Sequence, residues 1–131
     1  MTTDTQRLQT FVELMNSGSF DEARTMVSDR IVIHEPPLIP YGGEFRGLAG
    51  FDEFRRTFAA TWKSWADDPI WYAEHDGTVV KLNVITAVSR ATGRTFVTPL
   101  AEFFTFENSQ IVDVKIFYQD TPAFLAAVEP G

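Results

Sequence analysis

Hydrophobic residues recur at helical spacing in three stretches of the chain. In the first stretch they fall at i, i+3, i+4 and i+7 between Leu8 and Met15, which predicts an amphipathic helix. A capping box at residues 19–22 predicts a second, shorter helix. In the third stretch an apolar residue, mostly Phe or Trp, stands at every third or fourth position of residues 48–62, which predicts a longer helix.

Strand-type segments account for most of the remaining chain. A first strand is predicted over residues 31–35, and Pro36 ends it because proline cannot donate to a β-ladder. Thr121 as N-cap and Pro122 at the first helical position are predicted to begin a short last helix. Between the third and last helices, three or four strands are predicted at about 70–75, 79–89, 95–106 and 111–118.

This order of elements predicts an α+β fold in one domain, residues 1–131, with helices packed on one face of a curved antiparallel sheet. Hydrophobic residues make up 44% of the chain and charged residues 22%, as in ordinary soluble globular proteins. The twelve Phe and three Trp residues indicate a large core, an apolar pocket, or both.

The net charge of −7 argues against nucleic acid and against anionic membrane surfaces as partners. The absence of cysteine excludes disulfides and thiol chemistry. The first residues lack the basic and apolar parts of a signal peptide, and no apolar run approaches membrane-spanning length. We therefore expect a soluble, cytoplasmic protein with neither a nucleic-acid nor a membrane partner.

Two acidic residues stand in apolar strand segments. Glu102 lies within the aromatic-rich residues 96–106, and Glu35 ends the strand at residues 31–35. A carboxyl group in apolar surroundings costs free energy when it ionises, so it tends to stay protonated or to be paired. No spaced set of metal ligands accompanies these acids. They predict proton transfer on a small hydrophobic molecule without a metal or cofactor.

The last hairpin decides what Glu102 faces. A three-residue loop with a bulge at residues 107–109 would place Glu102 opposite Val114. A two-residue turn would instead place Glu102 opposite Lys115, as an ordinary cross-strand ion pair. We prefer the first register because it collects the apolar side chains on one face.

The preferred register predicts a concave, nearly apolar wall with Glu102 in its middle. Pairing across the preceding hairpin would turn Lys81 and Asn83 away from this wall. Besides Glu102, the predicted wall carries Leu82, Val84, Leu100, Phe104, Val114, Ile116 and Tyr118.

Three segments add a family resemblance to this pattern. They are Phe11–Asp21 continuing to Ile33-His34-Glu35-Pro36, the Gly-x-x-x-Gly at residues 43–47, and the Phe-Tyr-Gln-Asp-Thr at residues 117–121. With the element order, they make nearly the whole chain resemble the nuclear-transport-factor-2-like superfamily, and within it the ketosteroid isomerase and SnoaL-like polyketide cyclase branches. The resemblance implies a cone-shaped sheet, a cystatin-like α+β barrel.

The resemblance also implies roles for single residues. Glu35 takes the place of the isomerase's general base, and Glu102 that of the protonated acid that donates to the oxyanion. Phe11 stands where the isomerase pattern has a tyrosine, so a second hydroxyl donor is missing there. Asp120 matches an Asp that often lines SnoaL-like sites, although it is equally suited to cap the last helix.

Other residues are weaker candidates. His34 has a convenient pKa, but strand alternation places it on the sheet face opposite that of Glu35. The adjacent prolines could break this alternation, so which of the two residues points into the pocket stays open. Tyr118 could replace the missing hydroxyl donor, and Tyr41 could close the pocket mouth or simply pack its loop. Phe58 and Trp62 are more typical of core than of ligand contacts.

These residues favour an enzyme that enolises a small hydrophobic carbonyl compound, with isomerisation, cyclisation or dehydration as the outcome. Two alternatives stay open: a non-catalytic module that binds a lipophilic molecule, and an epoxide hydrolase-type enzyme in which Asp120, Glu102 or His34 positions water. A homodimer is expected from the resemblance, with the convex sheet face as its mixed apolar and polar interface. That face is predicted to carry Ala101, Phe103, Lys115 and Phe117.

Overall fold

The computed structural model describes residues 1–130, which form four helices and six strands. The helices are α1 (Asp4–Asn16), α2 (Phe20–Thr25), α3 (Gly47–Thr61) and α4 (Thr121–Val128). The strands are β1 (Val27–Glu35), β2 (Gly43–Arg46), β3 (Trp62–His75), β4 (Thr78–Ser89), β5 (Thr95–Glu107) and β6 (Gln110–Tyr118).

The six strands form one curved, open sheet in the order β2-β1-β6-β5-β4-β3. Only β1 and β6 run parallel, and all other neighbouring strands are antiparallel. The helices contribute Leu8, Phe51 and Phe124 to the core on one side of this sheet, which we call the inner face. The predicted α+β class with helices on a curved sheet is confirmed. No helix within residues 1–130 is long and apolar enough to cross a membrane.

The hairpin between β5 and β6 differs from both predicted registers. Asn108 and Ser109 form a two-residue turn with positive φ angles of 50° and 64°, as primed hairpin turns require. The pairing then skips Val112, which forms a β-bulge. Because of this extra residue, the side chains of β6 after the bulge that share a face with Glu102 are the same as in the register with the three-residue loop. The pairing itself is shifted by two residues from that register, so Glu102 lies opposite Ile116 and not Val114.

The hairpin between β4 and β5 corrects the predicted wall. The prediction has an odd number of residues between paired positions of β4 and β5. In the structure Val88 pairs with Thr95, so this number is even, and every residue of β4 lies on the face opposite the predicted one. Lys81 and Asn83 therefore lie on the inner face, where they are 5% and 6% exposed. Leu82, which is predicted to face inward, is 42% exposed on the outer face, and Val84 shares its side of the strand.

Several element boundaries also differ from the prediction. β1 begins four residues earlier, at Val27, and the short strand β2 is not predicted. Trp62 begins β3 instead of ending α3. The predicted capping box of α2 is wrong, because Ser19 makes no side-chain cap hydrogen bond. Asp120, and not Thr121, is the N-cap of α4.

Candidate active site

Glu35 ends β1 with its side chain on the inner face, where it is 5% exposed. Neither of its carboxyl oxygens has a hydrogen-bond partner. Burial, reinforced by the negative charge of Glu102, raises the pKa of Glu35 well above its usual value. The nearby Tyr118 hydroxyl partly opposes this rise, although it makes no hydrogen bond of normal geometry with the carboxyl group. These surroundings therefore favour the protonated form of Glu35.

Two tyrosines lie beside Glu35. Tyr41, on the loop after β1, is 5% exposed, and its hydroxyl accepts a hydrogen bond of 2.8 Å from the indole N–H of Trp62. Because that bond uses Tyr41 as the acceptor, its own hydroxyl proton stays free to be donated. Burial raises the pKa of Tyr118 well above its usual value, as do the neighbouring Tyr41 and Glu35. Both phenols are therefore neutral hydrogen-bond donors at physiological pH.

Glu102 has a different environment from Glu35. Its Oε1 lies 3.4 Å from the Nζ of Lys81, which in turn lies 3.4 Å from the Oδ2 of Asp67. All three side chains are at most 16% exposed. The predicted apolar wall is therefore wrong at this point: Glu102 belongs to a buried carboxylate–ammonium–carboxylate cluster.

The pKa values in this cluster show which effect dominates at each group. Burial raises the pKa of Glu102, and the charge of Lys81 limits that rise. Burial also disfavours the charged form of Lys81, but Glu102 and Asp67 outweigh it and raise the pKa of Lys81. Lys81 is therefore an ammonium ion that stabilises the ionised form of Glu102.

Asn83 completes the polar part of the inner face. Its amide N–H₂ donates to Asp67 Oδ1 at 2.5 Å, and the indole N–H of Trp65 donates to the same oxygen at 3.3 Å. The carbonyl oxygen of Asn83 has no partner. The predicted site residues do not include Asp67, Lys81 and Asn83. An even number of residues between paired positions of β4 and β5 would have placed Lys81 and Asn83 on the inner face already in the sequence.

His34 and Asp120 do not join these groups. His34 lies on the outer sheet face, where its Nε2 is 2.9 Å from Asp113 and its Nδ1 is 3.6 Å from Glu44. Glu35, and not His34, therefore points inward. Asp120 is exposed, and its Oδ1 accepts from the backbone N–H of Ala123 at 3.0 Å.

The predicted lining residues are divided between the two faces. Leu82 and Val84 lie on the outer side of β4, as described above. Phe11 and Phe58 are half-buried and pack against the core. The buried core itself includes Trp62, Leu100, Phe104, Val114 and Ile116.

Two surface clefts lie elsewhere, beside α2. One, of about 560 Å³, is lined by residues of α2, β1 and α3 that include Arg24, Asp29 and Leu48. The other, of about 290 Å³, lies between α2 and α3. Neither touches a predicted site residue. Within residues 1–130, no group of three or more His, Asp or Glu side chains is arranged to hold a metal ion.

The fold and this site lead to the family. The chain belongs to the SnoaL-like domain family of the NTF2-like superfamily, whose sequence model matches residues 8–114. No protein of curated function matches the chain. Among solved structures, it is similar to an NTF2-like protein from Burkholderia xenovorans, with 19% identity, a TM-score of 0.88, and 96% of this chain and 95% of that one covered.

Of two further similar structures, one is named for an activity and the other for a bound compound. One is a candidate polyketide cyclase from Xanthomonas campestris, with 21% identity, a TM-score of 0.81 and 96% of each chain covered. The other is TerC co-crystallised with polyporic acid, with 15% identity, a TM-score of 0.84, and 97% of this chain and 98% of that one covered. These likenesses establish the fold.

Proposed function

We propose that the protein is a cofactor-independent enzyme that enolises a small hydrophobic carbonyl compound. The observation that carries this proposal is Glu35, a buried carboxyl group with two unpartnered oxygens on the inner face of the sheet. Buried polar atoms are almost always hydrogen-bonded, and exceptions are concentrated at functional sites. The name of the polyketide cyclase neighbour supports a small-molecule reaction on this fold, and the complex of TerC with polyporic acid supports the binding of a small organic molecule.

The surroundings of the two acids support a division of labour opposite to the one that the isomerase resemblance implies. Glu35, protonated and next to Tyr118, donates a hydrogen bond to the carbonyl oxygen as it becomes an enolate. Glu102 is the base, because the ammonium group of Lys81, bonded to its Oε1, favours its ionised form. Its Oε2 removes the proton beside the carbonyl. Returning this proton to another carbon completes isomerisation. For cyclisation, the enolate carbon attacks a second carbonyl group, whose oxygen takes the proton. For dehydration, a β-hydroxyl group takes the proton and leaves as water.

The substrate has to pass a layer of aromatic side chains, because the acids themselves are nearly covered. Phe58 and Trp65 are half-buried, with ring centroids 4.7 Å apart, and Trp65 also contacts Trp62. We assign the entrance to this layer, since Trp65 also bonds Asp67 of the polar cluster.

Hydrogen–deuterium exchange tests the proposal without knowledge of the natural substrate. α-Tetralone is incubated with the protein in deuterium oxide, and deuteration beside its carbonyl is followed by NMR. We expect Glu102→Gln to slow exchange about 10²–10⁴-fold, the usual contribution of a positioned base. Glu35→Leu should slow it about 10²–10³-fold, and Glu35→Gln less, because an amide still donates.

The control is Glu107→Gln, which changes an exposed carboxyl group. A large loss in Glu35→Gln with little change in Glu102→Gln would restore the roles implied by the resemblance. Tight binding of α-tetralone without exchange in the wild-type protein would favour the non-catalytic binding module instead.

Hydrolysis is a second candidate, supported by one specific observation. The cluster of Asp67, Lys81, Asn83 and Glu102 supplies the several polar groups that positioning a water molecule for epoxide opening requires. Oxygen-18 from labelled water in the diol product of a cyclic alkene oxide would establish this reaction. No diol formation would leave enolisation as the only catalytic candidate.

We also propose that the outer sheet face forms a homodimer interface. Trp71, Leu82, Ala101 and Phe117 are successive cross-strand neighbours in one row over four strands. Trp71 is 67% and Phe117 54% exposed. Beside the row, Lys115 and Asp113 offer opposite charges that a two-fold axis can pair. Light scattering should give a dimer, and Ala101→Glu a monomer; a wild-type monomer would contradict the interface.

A further inference from the structure

Only three buried side-chain polar atoms within residues 1–130 have no hydrogen-bond partner: both carboxyl oxygens of Glu35 and Oδ1 of Asn83. The proposed reaction uses Glu35 and leaves Asn83 unexplained. Asn83 is 6% exposed and lies on the inner face of β4. Leaving a buried acceptor unpaired costs free energy that a ligand can recover.

The orientation of the Asn83 amide is fixed by its neighbour. Asp67 Oδ1 lies 2.5 Å from Nδ2 of Asn83. A carboxylate oxygen only accepts hydrogen bonds, so the amide nitrogen must face it and the carbonyl oxygen must point elsewhere. Lys81, two residues along the same strand, directs its ammonium group to Asp67 and Glu102. No neighbouring side chain therefore supplies a donor to Oδ1.

Asn83 shares the inner face with the groups of the proposed reaction. It lies opposite Leu100, and Leu100 lies opposite Tyr118. The adjacent row runs from Lys81 to Glu102 and on to Ile116. At about 4.8 Å between neighbouring strands, the backbone of Asn83 is roughly 14 Å from β1, which carries Glu35. A molecule that contacts both Asn83 and Glu35 therefore has to reach across three strand spacings, about the length of two fused rings with a polar substituent at each end.

We propose that Asn83 is a specificity-determining residue whose carbonyl oxygen accepts a hydrogen bond from a hydroxyl group of the substrate. The substrate class is then narrower than a hydrophobic ketone: it is a carbonyl compound that carries a hydroxyl donor at the end remote from the carbonyl. This inference rests on the proposed function only in taking a carbonyl compound as the occupant.

Equilibrium binding tests the inference without any turnover. The probes are the hydroxy derivatives of α-tetralone at each aromatic position and their methoxy counterparts, which accept but do not donate. Binding is measured by calorimetry. We expect one hydroxy derivative to bind about tenfold more tightly than its methoxy partner, since a methoxy group leaves Oδ1 unpaired.

Two variants test the carbonyl oxygen. Asn83→Leu should abolish the preference for the hydroxy derivative. Gln110→Leu makes the same kind of amide-to-alkyl change at an exposed position outside the inner face, so the preference should survive. If Asn83→Leu does not fold, the side-chain amide NMR resonances of Asn83 are followed in the wild-type protein while each probe is added. The hydroxy derivative should shift these resonances more than its methoxy partner does.

The inference is wrong if no hydroxy derivative binds more tightly than its methoxy partner, including the case in which none binds. It is also wrong if the preference persists in Asn83→Leu. These outcomes are distinct from failure of the proposed function. A hydroxyl preference without deuterium exchange would retain the role of Asn83 and remove the enolisation, and exchange without a preference would do the reverse.

Discussion

Glu35 and Glu102 lie in the same interior, yet the two ends of the inner face treat a carboxyl group differently. At the β1 end, Glu35 has no hydrogen-bond partner, and its burial favours the protonated form. At the β4 end, Lys81 lies 3.4 Å from Glu102 and stabilises its charge. Burial alone raises the pKa of both groups. The neighbouring ammonium group decides which acid ionises first, and so which one can act as a base.

The largest effect is expected when the ammonium group of Lys81 is removed. Lys81→Met would leave Glu102 and Asp67 buried with no cation between them, so we expect a loss of about 3–5 kcal/mol in the free energy of unfolding at pH 7. Urea denaturation measures it. The matched control is Arg30→Met, whose side chain is 69% exposed and paired with Glu107, with an expected loss of about 0–1 kcal/mol. Equal losses in both variants would mean that water reaches the cluster.

A smaller effect is expected at the other end. Because the folded-state pKa of Glu35 is raised, the native chain holds a proton that the unfolded chain releases above pH about 4.3. Stability therefore falls as pH rises from there to the folded pKa, by about 1.4 kcal/mol for each pH unit between the two pKa values. Glu35→Gln should remove this slope and be the more stable protein at pH 7. Identical pH dependence of unfolding in the two proteins would show that Glu35 is solvated.

The smallest effect is expected at Asp120, the acid that lies outside the interior. It caps α4, and Asp120→Ala should cost about 1 kcal/mol, while Asp120→Ser, which keeps a capping oxygen, should cost less. Neither variant should slow deuterium exchange into α-tetralone by more than about twofold, since a loss of about 10²-fold or more requires removal of a positioned acid or base. A hundredfold loss in Asp120→Ser would return Asp120 to the active site.

The sequence predicts α1 and α3 because their apolar periodicity is strong, α4 because proline is typical of a first helical turn, and most strands because their segments are bounded by turn residues. Alternation along β1 separates Glu35 from His34 already in the sequence, but which of the two faces inward is decided only by the structure, where it is Glu35. The sequence does not predict the surroundings of Glu102. Those depend on whether each hairpin connection holds an odd or an even number of residues, and one residue exchanges the two faces of a strand.

Asp67 escapes prediction for another reason. It lies in the early part of β3, where the pairing with β4 shifts between Asp67 and Ile70. Such irregularities interrupt the alternation of polar and apolar residues on which strand prediction rests. Lys81 and Asn83 are predicted on the wrong face, because the apolar residues Leu82 and Val84 fit an apolar wall better than they do.

The extra residue at Val112 has a consequence for comparing this chain with its distant relatives. The bulge changes which residues of β6 face inward. Before Val112 it is the odd-numbered Ile111, and after it the even-numbered Val114 and Ile116. An ungapped alignment with a relative that lacks the bulge would match inner positions of one half with outer positions of the other. At 15–21% identity, such an error goes unnoticed in the score. A one-residue gap at Val112 is therefore needed before Ile116 and Tyr118 can be equated with residues of such a relative.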